Sequence, residues 1–214
     1  MSADPELLDV LDAAGAVIGI APRAAVHERG LWHRVFHCQI VAVRNGVPTM
    51  VLQRRHPSKL AFGGLLDVSA AGHLTAAEEP VDGVRELAEE LGVVVEPAAL
   101  VPLGVRRMVN DDGEGDLNKE LTHVFLLRDD RPLAEYRPAP GEVEAVFEVP
   151  VDELLDLFGG QVATVELRGP ELRGRPAGEP PTAAPADFVP DPGYWITLAV
   201  MCGRFGRGEL PVAI

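Results

Sequence analysis

Apolar and polar positions fall into short blocks that change period along the chain. Residues 34–43 (RVFHCQIVAV) are rich in β-branched and aromatic side chains and predict a strand. Asn45-Gly46 predicts a tight hairpin turn, because both residues tolerate positive φ. Residues 47–54 (VPTMVLQR) supply the partner strand, with Pro48 near its start. Upstream, Asp9–Asp12 and Ala16–Ile20 flank a Gly-containing turn and predict a small hairpin within the first thirty residues. Residues 61–74 are rich in Gly and Ala, with strand potential around Leu65 to Ser69. Residues 80–91 (PVDGVRELAEEL) read as a helix, with Pro80 suited to its first position and Gly92 to its stop. Strands are predicted at 93–95, 99–109, 120–128 and 143–149, a polar loop at 110–119 and a short helix at 151–158. Seven prolines between Pro170 and Pro192 exclude continuous helix or central strand and predict an extended surface loop. Residues 193–205 return to an apolar pattern and predict a terminal helix packed on the body. The alternation indicates an α/β (α+β) domain: a hairpin extension over 1–30, a main domain over 31–160, and a Pro-rich loop with a helix over 161–214.

Composition narrows the class. The 214 residues are 47% hydrophobic and 24% charged, ordinary for a globular chain with a real core. The formal net charge is -14, which disfavours any partnership with a nucleic-acid polymer. A small phosphate ester is still within reach if cations bridge the two. Two Cys make no disulfide framework and suit a reducing compartment. No apolar run approaches the roughly 18 residues of a membrane helix, and the N-terminus lacks the pattern of a signal peptide. A cytoplasmic protein without membrane attachment is the expectation.

The stretch Gly72–Val93 carries the chemistry. On a helical wheel, Val81, Val84, Leu87, Ala88 and Leu91 form a core stripe. Glu86, Glu89 and Glu90 fall on the opposite side, within an arc of roughly 100°. Three close carboxylates repel each other by a few tenths of a kcal/mol per pair on a bare helix, about what a solvated face tolerates. A divalent cation reverses that balance, because Mg²⁺ takes hard oxygen ligands together with substrate phosphates. Arg85 is placed to pair with one carboxylate and hold its rotamer.

Gly72-x5-Glu78, followed by Arg85-Glu86-Leu87-x-Glu89-Glu90-x-Gly92-Val93, resembles the Nudix box of the Nudix hydrolase superfamily. Every specified position of the second half is filled. The family pattern has seven residues between the Glu and the Arg, whereas Glu78 and Arg85 enclose six, which puts the role of Glu78 in question. Gly83 is expected to weaken the first helical turn. Leu31-Trp32-His33-Arg34, Leu52-Gln53-Arg54-Arg55, Pro57-Ser58-Lys59 and Leu65–Ser69 with Gly72-His73 resemble the branch related to isopentenyl-diphosphate isomerase. The resemblance covers about residues 6–160. It implies a Nudix-type α/β/α sandwich with a mixed sheet, the box helix on one face and the 151–158 helix on the other.

It also implies Mg²⁺ (with Mn²⁺ as a substitute) held by Glu86, Glu89 and Glu90, with the Gly72 backbone close to the phosphates. Arg55 and Lys59 would neutralise phosphate oxygens, His73 would stand beside them, and Arg85 would position the carboxylates. The implied reaction is hydrolysis of a diphosphate linkage in a small X–O–P–O–P compound, such as a nucleoside diphosphate derivative. Glu86 is a third ligand or the general base; Glu120 and Glu142 are alternatives for the base, although ordinary exposure rates favour a surface position for each. The isomerase reaction needs a Cys where this chain has Ala70 and Ala71, and Ala moves no proton. A non-catalytic ligand sensor is a third reading, which the complete carboxylate set opposes. Singly, His33, His37, His73 and His123 read as structural, because no pair has the H-x-x-x-H spacing on a helix. Tyr194 and Trp195 read as core or pocket residues. A homodimer through the hairpin or the terminal helix stays open.

Overall fold

The computed structural model describes residues 6–111, 117–170 and 180–214. The middle of the predicted 110–119 loop and residues 171–179 of the Pro-rich segment therefore lie outside the described residues. Strands β1 (Leu7–Leu11) and β2 (Val17–Pro22) form the N-terminal hairpin, and helix α1 (Arg23–Glu28) follows. Next come β3 (Trp32–Arg44), β4 (Val47–Arg55), β5 (Leu66–Asp67) and β6 (Ala70–His73). After the box helix α2 (Arg85–Leu91) come β7 (Val101–Asp111), β8 (Leu117–Arg128) and β9 (Val143–Pro150), then α3 (Val151–Phe158). The chain closes with the short pair β10 (Val165–Glu166) and β11 (Thr182–Ala183) and helix α4 (Pro192–Gly206).

Strands β1 to β9 make one mixed sheet around β3, which pairs parallel with β8 and antiparallel with β4 and β6. β3 is long and apolar enough to be buried on both faces. Its Phe36, Cys38, Ile40 and Ala42 pack under α2 with Leu87 and Leu91, whereas Val41 joins Leu154, Trp195 and Leu198 of α3 and α4 on the other side. The fold is thus the expected α/β/α sandwich. Asn45 (φ 52°) and Gly46 (φ 84°) make the predicted turn between β3 and β4. No helix of the described residues is long and apolar enough to cross a membrane.

Several local expectations change. Residues 80–91 are a 3₁₀ turn (Pro80–Val84) leading into α2, not one α-helix. Gly83 is a packing requirement rather than a weakness: a Cβ there would lie 2.4 Å from Phe36 Cγ. Residues 93–95 form no strand, because Gly92 (φ 68°) turns the chain back and Val93 N–H donates to Leu87 O at 2.9 Å. α1 has no counterpart among the predicted elements. The described end of the Pro-rich segment is not purely surface: Ala183 and Phe188 are buried, and Phe188 packs edge-on against Trp195 and Phe158.

Candidate active site

β6 and α2 meet where Gly72 leaves room. A Cβ on Gly72 would fall 2.0 Å from Glu86 Oε1, so only glycine lets that carboxylate reach the strand. Arg85 is the hub. It donates to Glu86 Oε1 at 2.6 Å, Glu78 Oε1 at 2.8 Å, the His73 carbonyl at 2.9 Å and Glu89 Oε2 at 3.2 Å. Glu78 also accepts from Thr75 N–H at 2.7 Å. The short spacing therefore leaves Glu78 engaged with Arg85. A 3₁₀ turn rises about 2.0 Å per residue against about 1.5 Å in an α-helix, which stretches the shortened connection toward its usual reach.

Glu86 and Glu90 are buried, while the Glu89 side chain is 58% exposed. Glu90 Oε2 accepts from Ala71 N–H and Gln53 Nε2, each at 3.1 Å. Burial, reinforced by the charges of Glu86 and Asp67, pushes Glu90 up to about 8. Burial also raises Glu86, against the pull of Arg85. Two buried carboxylates with raised pKa beside a third that faces solvent, only partly neutralised by Arg85, form a donor set that a hard divalent ion fits.

The cations implied for phosphate are otherwise engaged. Arg55 pairs with Asp67 at 3.0 Å and donates to Ala61 O, and Lys59 pairs with Glu142. The charge of Arg55 acts at His37 and Glu120, and that of Lys59 at His73. Glu142 is half-exposed, as expected, but Glu120 is buried with Asn118 as partner, and burial raises its pKa.

His73 departs most from its reading as a lone side chain. One strand position beyond Gly72, it points to the opposite sheet face from Glu86. There it meets His27 of α1 and His33 of β3, each pair of ring centroids 5.1 Å apart. His27 Nε2 and His73 Nε2 are 3.1 Å apart, and one ligating atom from each of the three lies within 4.8 Å of the others. His33 Nδ1 is 3.0 Å from Leu31 O, and its Nε2 has no hydrogen-bond partner among the described residues. Burial holds His33 down to about 4 and His73 down to about 2, so both are neutral imidazoles, the form that binds metals. Glu120 is the register partner of His33 on β8. Three histidines scattered over 47 positions, one on an unpredicted helix, left no spacing signal in the sequence; only the Gly72-His73 pair hinted at this place.

Residues 34–165 match the NUDIX domain. An uncharacterised Nudix hydrolase of Clostridium acetobutylicum is 32% identical over 166 residues, covering 78% of this chain and 80% of that one. This chain belongs to the Nudix hydrolase family. Members of the family are in general pyrophosphohydrolases that act on small diphosphate compounds and use divalent metals, and this Nudix hydrolase is an enzyme of that class. It is also similar to a protein of Cutibacterium acnes named isopentenyl-diphosphate Delta-isomerase, 33% identical over 69% of this chain and 75% of the relative. Among solved structures, a Deinococcus radiodurans protein aligns with a TM-score of 0.54 and 25% identity over 72% of this chain and 90% of its own. A Nudix hydrolase from Alicyclobacillus acidocaldarius shares the fold, with a TM-score of 0.51 and 14% identity over 85% of this chain and 97% of its own. In this Nudix hydrolase Ala70 is buried under α2, and Ala71 offers Glu90 only its backbone N–H.

Proposed function

We propose that the protein is a Mg²⁺-dependent hydrolase of the diphosphate linkage in a small X–O–P–O–P substrate, working in the cytoplasm. The observation that carries this reading is the pair of buried carboxylates, Glu86 and Glu90, held against the glycine strand by Arg85, Gln53 and the Ala71 N–H. Glu86, Glu89 and Glu90, with the Gly72 backbone beside them, would hold the ion. When bound, Mg²⁺ supplies charge neutralisation on the phosphoryl oxygens and a lowered pKa for water. Arg85 orients Glu86 and favours its charged form against the effect of burial. Arg55 and Lys59 would exchange Asp67 and Glu142 for phosphate oxygens, and His73 borders the same strand. A water oxygen forms a bond to one phosphorus while the bridging P–O bond breaks, its electron pair leaving with the second phosphate. Glu86 or the buried Glu120 takes the water proton.

Imidazole nitrogens select softer divalent ions than carboxylates do. We assign the set His27, His33 and His73 to such an ion, separate from the Mg²⁺ ligands. Metal analysis of the purified protein should find it, and find it lost in a His33→Ala variant. The isomerase reading has no proton-transferring side chain at Ala70 or Ala71 and is not favoured.

The deciding experiment measures phosphate and pyrophosphate release from a panel of diphosphate compounds, with Mg²⁺ and with chelator, while watching isopentenyl diphosphate for its isomer. Metal-dependent release supports the hydrolase; isomer without release overturns it.

A further inference from the structure

The sheet face opposite α2 is not fully covered by α3 and α4. Ala71, His37, Thr122 and Arg106 share that face, one from each of β6, β3, β8 and β7: the register sets Ala71 beside His37 and Thr122 beside Arg106, with His37 opposite Val124, two positions along β8 from Thr122. Ala71 and His37 keep solvent contact although they sit at the centre of the sheet, as a cleft floor does. Thr122 is buried beside Arg106, and its hydroxyl has no partner among the described residues. The floor thus offers a hydrogen bond that none of the described residues takes up.

The N-terminus of α4 forms the wall. Asp191 caps the helix, its Oδ1 accepting from Tyr194 N–H at 2.9 Å, and its Oδ2 pairs with Arg106. The Arg106 guanidinium lies 4.0 Å from the centre of the Tyr194 ring, and the Tyr194 hydroxyl is 3.1 Å from His37 Nδ1. Asp191 thus takes one edge of the guanidinium and Tyr194 one face. The charges of Arg106, Arg55 and Asp67 all act on His37 and Glu120, and the floor reaches the carboxylate site through Ala71, whose N–H holds Glu90. Arg55 belongs to the diphosphate end. Arg106 stands on the strand beyond β8, at the far end.

We propose that Arg106, held in reserve by Asp191 and braced by Tyr194, is a specificity residue that binds an anionic group, a carboxylate or a further phosphate, at the end of the substrate distant from the scissile diphosphate. This rests on the diphosphatase reading above. It gives a role to α4, which lies beyond the region matching the family. Binding exchanges the internal Asp191 partner for the substrate anion, so Arg106 stays paired in both states and the selectivity is a difference between two ion pairs.

The test uses three matched alkyl diphosphates of one chain length: one unsubstituted, one ending in a carboxylate, one ending in a phosphate monoester. The wild-type protein should favour one or both anion-terminated compounds through KM, by about tenfold or more, with similar kcat. Arg106→Met should remove that preference, raising KM for the anion-terminated compounds by a larger factor than for the unsubstituted one, while Arg106→Lys restores part of it. Asp191→Asn should do the opposite and lower KM for the anion-terminated compounds, because Asn caps a helix as well as Asp but frees the guanidinium. Damage to the fold cannot produce both signs. Equal effects of Arg106→Met on all three compounds, or no preference in the wild type, would overturn the proposal. If the wild type hydrolyses none of them, the diphosphatase reading fails separately. Calorimetric binding of the three methylene-diphosphate analogues then decides the subsite by the same comparison.

Discussion

Glu90 and His37 show how single side chains carry the pH behaviour of the molecule. Burial raises Glu90 to about 8, above the roughly 4.3 of an unfolded glutamate. Between those values the folded state holds more protons than the unfolded one, so this group makes the metal-free protein less stable as pH rises. Glu90→Gln removes that cost. In chelator at pH 8 its melting temperature should equal or exceed the wild type, while Mg²⁺-dependent turnover falls by about two orders of magnitude or more. Glu89→Gln should lose turnover to a similar degree, and wild-type turnover in both variants would sink the ligand assignment. His37 has the opposite sign. Burial holds it down to about 4, below the roughly 6.5 of a free imidazole. In that window the unfolded chain binds the extra proton, so stability falls as pH drops from 6.5 toward 4. His37→Gln should flatten this part of the stability profile, measured by denaturant melts at pH 7, 6, 5 and 4.

The 3₁₀ turn and α2 act as one element whose position depends on two glycines. Gly83 sits on the Phe36 ring, and Gly72 faces the Glu86 carboxylate. Gly83→Ala forces the turn off Phe36 and should cost about 1–3 kcal/mol, the range for overpacking a core. Gly72→Ala meets the end of a flexible side chain, so it should cost less stability but displace Glu86. We expect turnover to drop by about tenfold or more with a smaller change in melting temperature. Equal melting temperatures for Gly83→Ala and wild type would contradict the packing account. The helix wheel identified Leu87 and Leu91 as buried and grouped the three carboxylates in one arc from spacing alone, but Ala88, assigned to the same stripe, is exposed, and Val81 and Val84 sit partly buried in the 3₁₀ turn. It could not show that Glu86 and Glu90 are dry, because their burial comes from β6 and β4 packing against that arc.

At the scale of the molecule, the larger apolar cluster draws on both ends of the matched region and on the segment beyond it. Phe188, Trp195, Leu198 and Cys202 pack with Met50, Leu52 and Phe147 of the sheet. Truncation after residue 165, where the family match ends, would expose that face. The truncated chain should fail to fold or aggregate, as read by far-ultraviolet circular dichroism and size-exclusion chromatography. A monomeric, cooperatively melting fragment would show that α4 is dispensable to the fold.

Strands β1–β4 and β7–β9, the two hairpin turns, α3, α4 and the acidic box were legible because each is a local pattern: β-branched blocks, Asn-Gly, a helical stripe, a fixed carboxylate spacing. Residue periodicity is set by backbone geometry, which a chain carries wherever it folds. The tertiary structure decided what depends on residues distant in sequence. It brought His27, His33 and His73 into one cluster, paired Arg55 with Asp67 and Lys59 with Glu142, buried Glu120 and put Arg106 against Tyr194. Those contacts follow from strand order and register, and from the desolvation that packing imposes on the groups they bring together. None of these is a property of the local sequence around any one of the residues.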